Sequence, residues 1–116
     1  LGSQEKEWKT YYEDNKIQIS YSSKLCNDKK NGLSFEYYLI KVKNKTNEVY
    51  IVNFYEGKKK MDEYKVTFVI KPNEIKTGTC KYNSVKLKII KSNGNLKNKN
   101  INNEFSLSNI NVIEVY

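Results

Sequence analysis

Leu33-Ser34-Phe35-Glu36-Tyr37-Tyr38-Leu39-Ile40-Lys41-Val42-Lys43 decides the fold class. Phe35, Tyr37 and Leu39 alternate with Tyr38, Ile40 and Val42, so an extended chain here is apolar on both faces near its centre. A strand with two apolar faces belongs in the middle of a sheet. It is preceded by the loop run Asn27-Asp28-Lys29-Lys30-Asn31-Gly32, whose closing Asn-Gly pair suits a turn. The polar turn Asn44-Lys45-Thr46-Asn47 follows it, and the β-rich run 49–55 comes next, so 33–55 reads as a hairpin.

The same period of two recurs on both sides. Ile17, Ile19 and Tyr21 alternate with Lys16, Gln18 and Ser20; Tyr64, Val66, Phe68 and Ile70 alternate with Lys65, Thr67, Val69 and Lys71 before Pro72-Asn73-Glu74. Segment 75–81 reads as a short edge strand, and Val85, Leu87 and Ile89 alternate with Lys86, Lys88 and Ile90. A low-complexity loop, 92–100, is expected to be mobile. Phe105, Leu107 and the run 110–115 supply the closing strands, with a bulge expected near Ser108-Asn109. About seven strands without a helical stretch in the middle predict an all-β, antiparallel two-sheet sandwich, with a small β-barrel as the alternative. Ile17, Ile19, Phe35, Leu39, Val66, Phe68, Leu87 and Ile89 are expected to share its core.

With 116 residues the chain fits one domain, because two cores of this combined size would each bury too little apolar surface. Residues 16–116 are assigned to the domain and 1–15 to a lead-in whose Trp8, Tyr11 and Tyr12 suit either a helical stripe or an extended segment. The opening Leu1-Gly2-Ser3-Gln4 has no initiator Met, and its Gly-Ser pair resembles a cloning remnant; a processed export signal or lipid anchor also fits. No stretch is apolar for long enough to form a transmembrane helix.

The formal net charge is +8, which attracts acidic proteins, acidic glycans, anionic lipid or nucleic acid without choosing among them. Every basic residue is Lys and there is no His. Without His, nucleophile triads and most general-base chemistry are unavailable, and the carboxylates are dispersed at Glu13-Asp14, Glu36, Asp62-Glu63 and Glu104. The five glycines are isolated, so no phosphate loop occurs. The chain is therefore read as a non-enzyme that needs no cofactor. Two cysteines without His exclude a zinc site of the usual kind, and no other metal site is expected. Cys26 and Cys80 are expected to form one disulfide if the domain is exported, and to remain buried thiols in a reducing compartment. Asn44-Lys45-Thr46 is a formal glycosylation sequon, relevant only to a eukaryotic source.

A Cys-bearing strand, an Asn-Gly turn, the strand Phe35-Glu36-Tyr37-Tyr38-Leu39-Ile40-Lys41-Val42-Lys43 with its turn Asn44-Lys45-Thr46-Asn47, and Lys71-Pro72-Asn73-Glu74-Ile75-Lys76-Thr77-Gly78-Thr79-Cys80 occur in that order. Over residues 17–115 this order resembles small secreted immunoglobulin-like β-sandwich proteins of AT-rich bacteria. The resemblance implies an immunoglobulin-like fold and a secreted, periplasmic or cell-surface location in the bacterial envelope, and no catalytic residues. The chain departs from antibody-type domains in having its single Trp at position 8 rather than between the cysteines.

Function is accordingly expected to be recognition of a protein or acidic glycan through loops and an exposed sheet face. Lys58, Lys59, Lys60, Tyr38 and Tyr55 are the candidate contacts, because Tyr offers a rigid apolar body with a polar tip. The alternative is a small barrel binding single-stranded nucleic acid through Lys and Tyr, which the absence of Arg disfavours.

Overall fold

The alternation read above produces two antiparallel sheets in the computed structural model, which describes residues 7–28, 32–93 and 104–115. Eight strands are formed among the described residues: β1 (Lys9–Glu13), β2 (Ile17–Asp28), β3 (Leu33–Asn44), β4 (Tyr50–Glu56), β5 (Lys65–Ile70), β6 (Ile75–Thr77), β7 (Lys88–Asn93) and β8 (Leu107–Glu114). The larger sheet runs β1-β2-β3-β6, with β7 pairing the same edge of β3 beyond β6; the smaller runs β5-β4-β8. The two sheets face each other as an open sandwich and do not close into a barrel. Among the described residues the only helical piece is the short 3-10 turn Asp62–Tyr64, and no helix is long and apolar enough to cross a membrane.

β2 and β3 pair along their whole length, from Ile17 opposite Asn44 to Asp28 opposite Leu33, and Gly32 (φ 65) closes the turn in a conformation suited to glycine. Residues 29–31 of the first loop and 94–100 of the loop expected to be mobile lie outside the described residues, whereas Ser92 and Asn93, expected in that loop, instead end β7 by pairing with β3. Residues 9–13, expected in the lead-in, instead form the edge strand β1. There the ladder shifts between Thr10 and Tyr12, and Tyr11 reaches across to the other sheet. Its hydroxyl donates to the Leu107 carbonyl (3.0 Å) and accepts from the Leu107 amide (3.1 Å). The bulge read near Ser108-Asn109 is present: the β4–β8 ladder shifts there and Asn109 has φ 54.

The hairpin expected over 33–55 does not form. β3 and β4 belong to different sheets, because β3 is already paired on both edges within its own. The turn after Asn44 is thus a crossing between sheets, and it lies beside the second crossing, from β5 to β6. The Asn44 amide donates to the Glu74 carbonyl (2.9 Å) and the Asn73 amide to the Thr46 carbonyl (3.0 Å). Asn44 is fully buried, its Nδ2 donating to the carbonyls of Glu48 (2.7 Å) and Lys71 (2.9 Å). A side-chain nitrogen so enclosed leaves the sequon without an accessible acceptor in the folded protein.

Between the sheets lie Ile17, Ile19, Ile40, Val42, Tyr50, Val52, Phe54, Val66, Phe68, Ile70 and Leu87, all buried, with Ile89 packed against them. Burial of each such side chain contributes about 1.5–3 kcal/mol. Phe35 and Leu39 do not share this core. Leu39 is only 2% exposed, yet it follows the opposite parity to Ile40 and Val42 and so points to the outer face of the larger sheet. Cys26, opposite Phe35, lies on that face too.

Candidate binding surface

Leu39 is buried on the outer face of the larger sheet, and the disulfide tethers a loop to that same face. Cys26 sits in β2 on one side of β3, and Cys80 follows β6 on the other. A bond between them, with Cα atoms 5.5 Å apart, therefore draws the start of the 79–86 loop across the outer face of β3, while Val85 and Lys86 return beside Lys65, Val66 and Thr67 of β5, where Val85 packs against the inter-sheet core. Both ends of this loop are fixed at one residue of β3. The Gly78 amide donates to the Ile40 carbonyl (2.8 Å), and the Ile40 amide donates to the Leu87 carbonyl (2.9 Å). The chain thus leaves the ladder and re-enters it at the same rung, with Gly78 and Leu87 against each other. Lys88 ties the loop further: its Nζ donates to the Cys80 carbonyl (3.1 Å) and lies 4.8 Å from the centre of the Tyr37 ring.

Beneath and beside the loop is a cavity of about 160 Å³ whose lining includes Tyr37, Val85 and Leu87. Lys81, Lys86 and Lys88 also line it, and no carboxylate does among the described residues. Tyr82, in the same loop, is 85% exposed. The ring is thus presented to solvent by a segment anchored through one covalent bond and three hydrogen bonds, so ordering it on binding costs little entropy.

The residues singled out from the sequence lie elsewhere and do not form one patch. Lys58, Lys59 and Lys60 are exposed in the connection after β4. Lys60 Nζ lies 5.8 Å from the Tyr55 ring centre, and both border a shallow depression on the outer face of the smaller sheet with Asn53, Lys65 and Asn111. Tyr55 itself is nearly buried, at 8% exposure. Tyr38 is on the inner face of the larger sheet. It meets Tyr21 and Phe105 edge-on, at 5.7 and 5.5 Å between ring centres, and Lys91 Nζ lies 5.2 Å from its ring. Lys60 and Tyr55 are brought together; Tyr38 is part of an aromatic cluster around Phe105.

Comparison with protein-family models, curated proteins and solved structures finds no match. The geometry therefore carries the functional argument, and it favours the Cys80 loop. Sequence reasoning passed over Tyr82, although a tyrosine between a half-cystine and the turn residues Asn83-Ser84 was a usable signal.

The loop also lies near an unusual carboxyl group. Burial pushes the Glu56 carboxyl up to about 8, while the Lys86 ammonium pulls it part of the way back. Glu56 Oε2 and Ser108 Oγ are buried with no hydrogen-bond partner among the described residues.

Proposed function

We propose that this chain is an exported, non-catalytic binding module of the bacterial envelope, and that the Cys80 loop is its recognition element. The observation that carries the reading is Tyr82: a fully presented aromatic ring on a loop held at both ends and at its half-cystine. Binding hot spots are commonly exposed aromatic anchors on rigid supports, surrounded by groups that set orientation. The loop's lysines and the net charge of +8 select a partner bearing negative charge, a protein or an acidic glycan. The disulfide is compatible with an oxidising compartment, and the resemblance to secreted immunoglobulin-like sandwiches supports the same location.

The test is to immobilise the oxidised protein and its Tyr82→Ala variant and pass the native surface fraction of the source cell over both. Tyr82 is exposed, so the variant should melt at the same temperature as the wild type. A partner retained by the wild type and released at least about tenfold faster by the variant supports the reading. Equal retention by both removes the loop from the recognition surface. Retention of single-stranded oligonucleotides in preference to protein or glycan, abolished by salt, would assign the surface to nucleic acid instead.

A further inference from the structure

Building on that reading of the Cys80 loop, we propose that its cavity takes one aromatic or large aliphatic side chain from an acidic segment of a partner polypeptide. Size sets the first limit. At about 160 Å³ the cavity is well below the several hundred cubic ångströms of a cofactor or drug-sized site, and matches the space that holds a single benzene-sized ring. Composition sets the second, since Tyr37 and Val85 line the cavity with apolar surface that one apolar side chain can fill without leaving a polar group unpaired.

Charge sets the third limit. Lys81 and Lys86 are exposed, and among the described residues neither is in an ion pair. Lys88 is already engaged with the Cys80 carbonyl and the Tyr37 ring, so it fixes the wall while the other two remain available to flanking carboxylates. Burial favours the protonated form of the Glu56 carboxyl, which weakens its hold on Lys86. An apolar anchor flanked by Asp or Glu meets all three conditions, with Tyr82 closing over the anchor's backbone.

The experiment uses the oxidised full chain and a short synthetic peptide rich in Asp and Glu with one central Phe, titrated while backbone amide signals are followed by NMR. Saturable shifts at Tyr37, Tyr82, Val85 and Leu87 are expected. Binding should weaken at least about tenfold when the Phe becomes Ser, and by a similar factor in the Lys81→Glu/Lys86→Glu variant, whose changes are both at exposed positions. Equal binding of the Phe-free peptide, or shifts that map to another face, overturns the proposal. So does a heparin oligosaccharide that saturates these signals when the peptide does not, which assigns the site to an acidic glycan. If the peptide leaves the signals unmoved while Tyr82→Ala still releases the native partner, the acidic-segment proposal fails and the binding reading stands. If Tyr82→Ala releases nothing, the binding reading fails with it.

Discussion

Gly78 and Leu87 meet backbone to backbone opposite Ile40, and a Cβ built on Gly78 would overlap the Leu87 carbonyl. The overlap is with main chain, so no rotamer change relieves it. Gly78→Ala should separate the two ends of the Cys80 loop and break one of the two Ile40 hydrogen bonds, costing about 2–3 kcal/mol. Urea unfolding measures the loss. A change below about 0.5 kcal/mol would mean that the two arms are not closely apposed.

Leu39 is buried on the outer face of β3, the face to which the disulfide tethers the Cys80 loop, so a loop that covers it should be energetically coupled to it. Replacing both cysteines by Ser removes a link across 54 residues, worth about 4 kcal/mol in the chain-entropy treatment and often less in practice. Leu39→Ala should cost about 2–5 kcal/mol in the bridged protein. It should cost at least about 1 kcal/mol less when the bridge is absent, because the loop can then lift. Val52→Ala, in the core on the smaller sheet, should cost the same in both backgrounds. Additivity at Leu39 would show that something other than the pinned loop covers it.

That coupling marks the limit of what the sequence made legible. Alternation identified β2, β3 and β5 and the residues sharing a face of each, and the expectation that the two cysteines of an exported domain pair agrees with the Cys26–Cys80 bridge. Alternation does not say which of two apolar faces meets the second sheet. β3 is apolar on both, so Phe35 and Leu39 were assigned with Ile17 and Ile19 when they point the other way. Strand partners are equally non-local: β3 and β4 are consecutive, yet β3 is saturated by β2, β6 and β7, and the polar turn between them serves as a corner. Among the candidate contacts, Tyr55 and Lys60 were placed together only by the pairing of β4 with β5. Tyr82 was missed because a loop tyrosine has no periodicity to betray it.

Asn44 holds the two sheet crossings together, and its removal tests that role. Its Oδ1 also accepts from the Thr46 amide (2.9 Å) and hydroxyl (3.0 Å), so both polar atoms of the side chain are engaged. Asn44→Ala leaves the carbonyls of Glu48 and Lys71 without this donor in a buried setting and should destabilise by about 2–4 kcal/mol. Asn44→Asp should be at least as damaging at neutral pH, because a carboxylate donates nothing to those carbonyls. Thermal melts of both variants check this, and an unchanged Tm for Asn44→Asp would contradict the donor assignment.

Glu56 makes stability depend on pH in an uncommon direction. Its folded value of about 8 lies above the ordinary 4.5, so between these limits the folded protein keeps a proton that the unfolded chain has lost. The stabilisation is therefore complete below about pH 4.5, declines as pH rises, and is gone once pH passes the folded value. Allowing for partial exposure of the side chain, the span is about 2 kcal/mol. Asp14 and Glu74 work in the opposite sense: their carboxyls are held below the usual range, Asp14 by amide and Tyr12 hydrogen bonds that outweigh its burial and Glu74 chiefly by the Lys71 amide, and their contribution is lost as pH falls through acid. The difference between wild type and Glu56→Gln isolates the single group, since Asp14 and Glu74 are common to both. Urea titrations at about pH 5, 7 and 9 should show the wild type losing stability relative to Glu56→Gln across that range. Parallel pH profiles for the two proteins would place the Glu56 carboxyl in solvent and free the Lys86 side of the Cys80 loop from any influence by it.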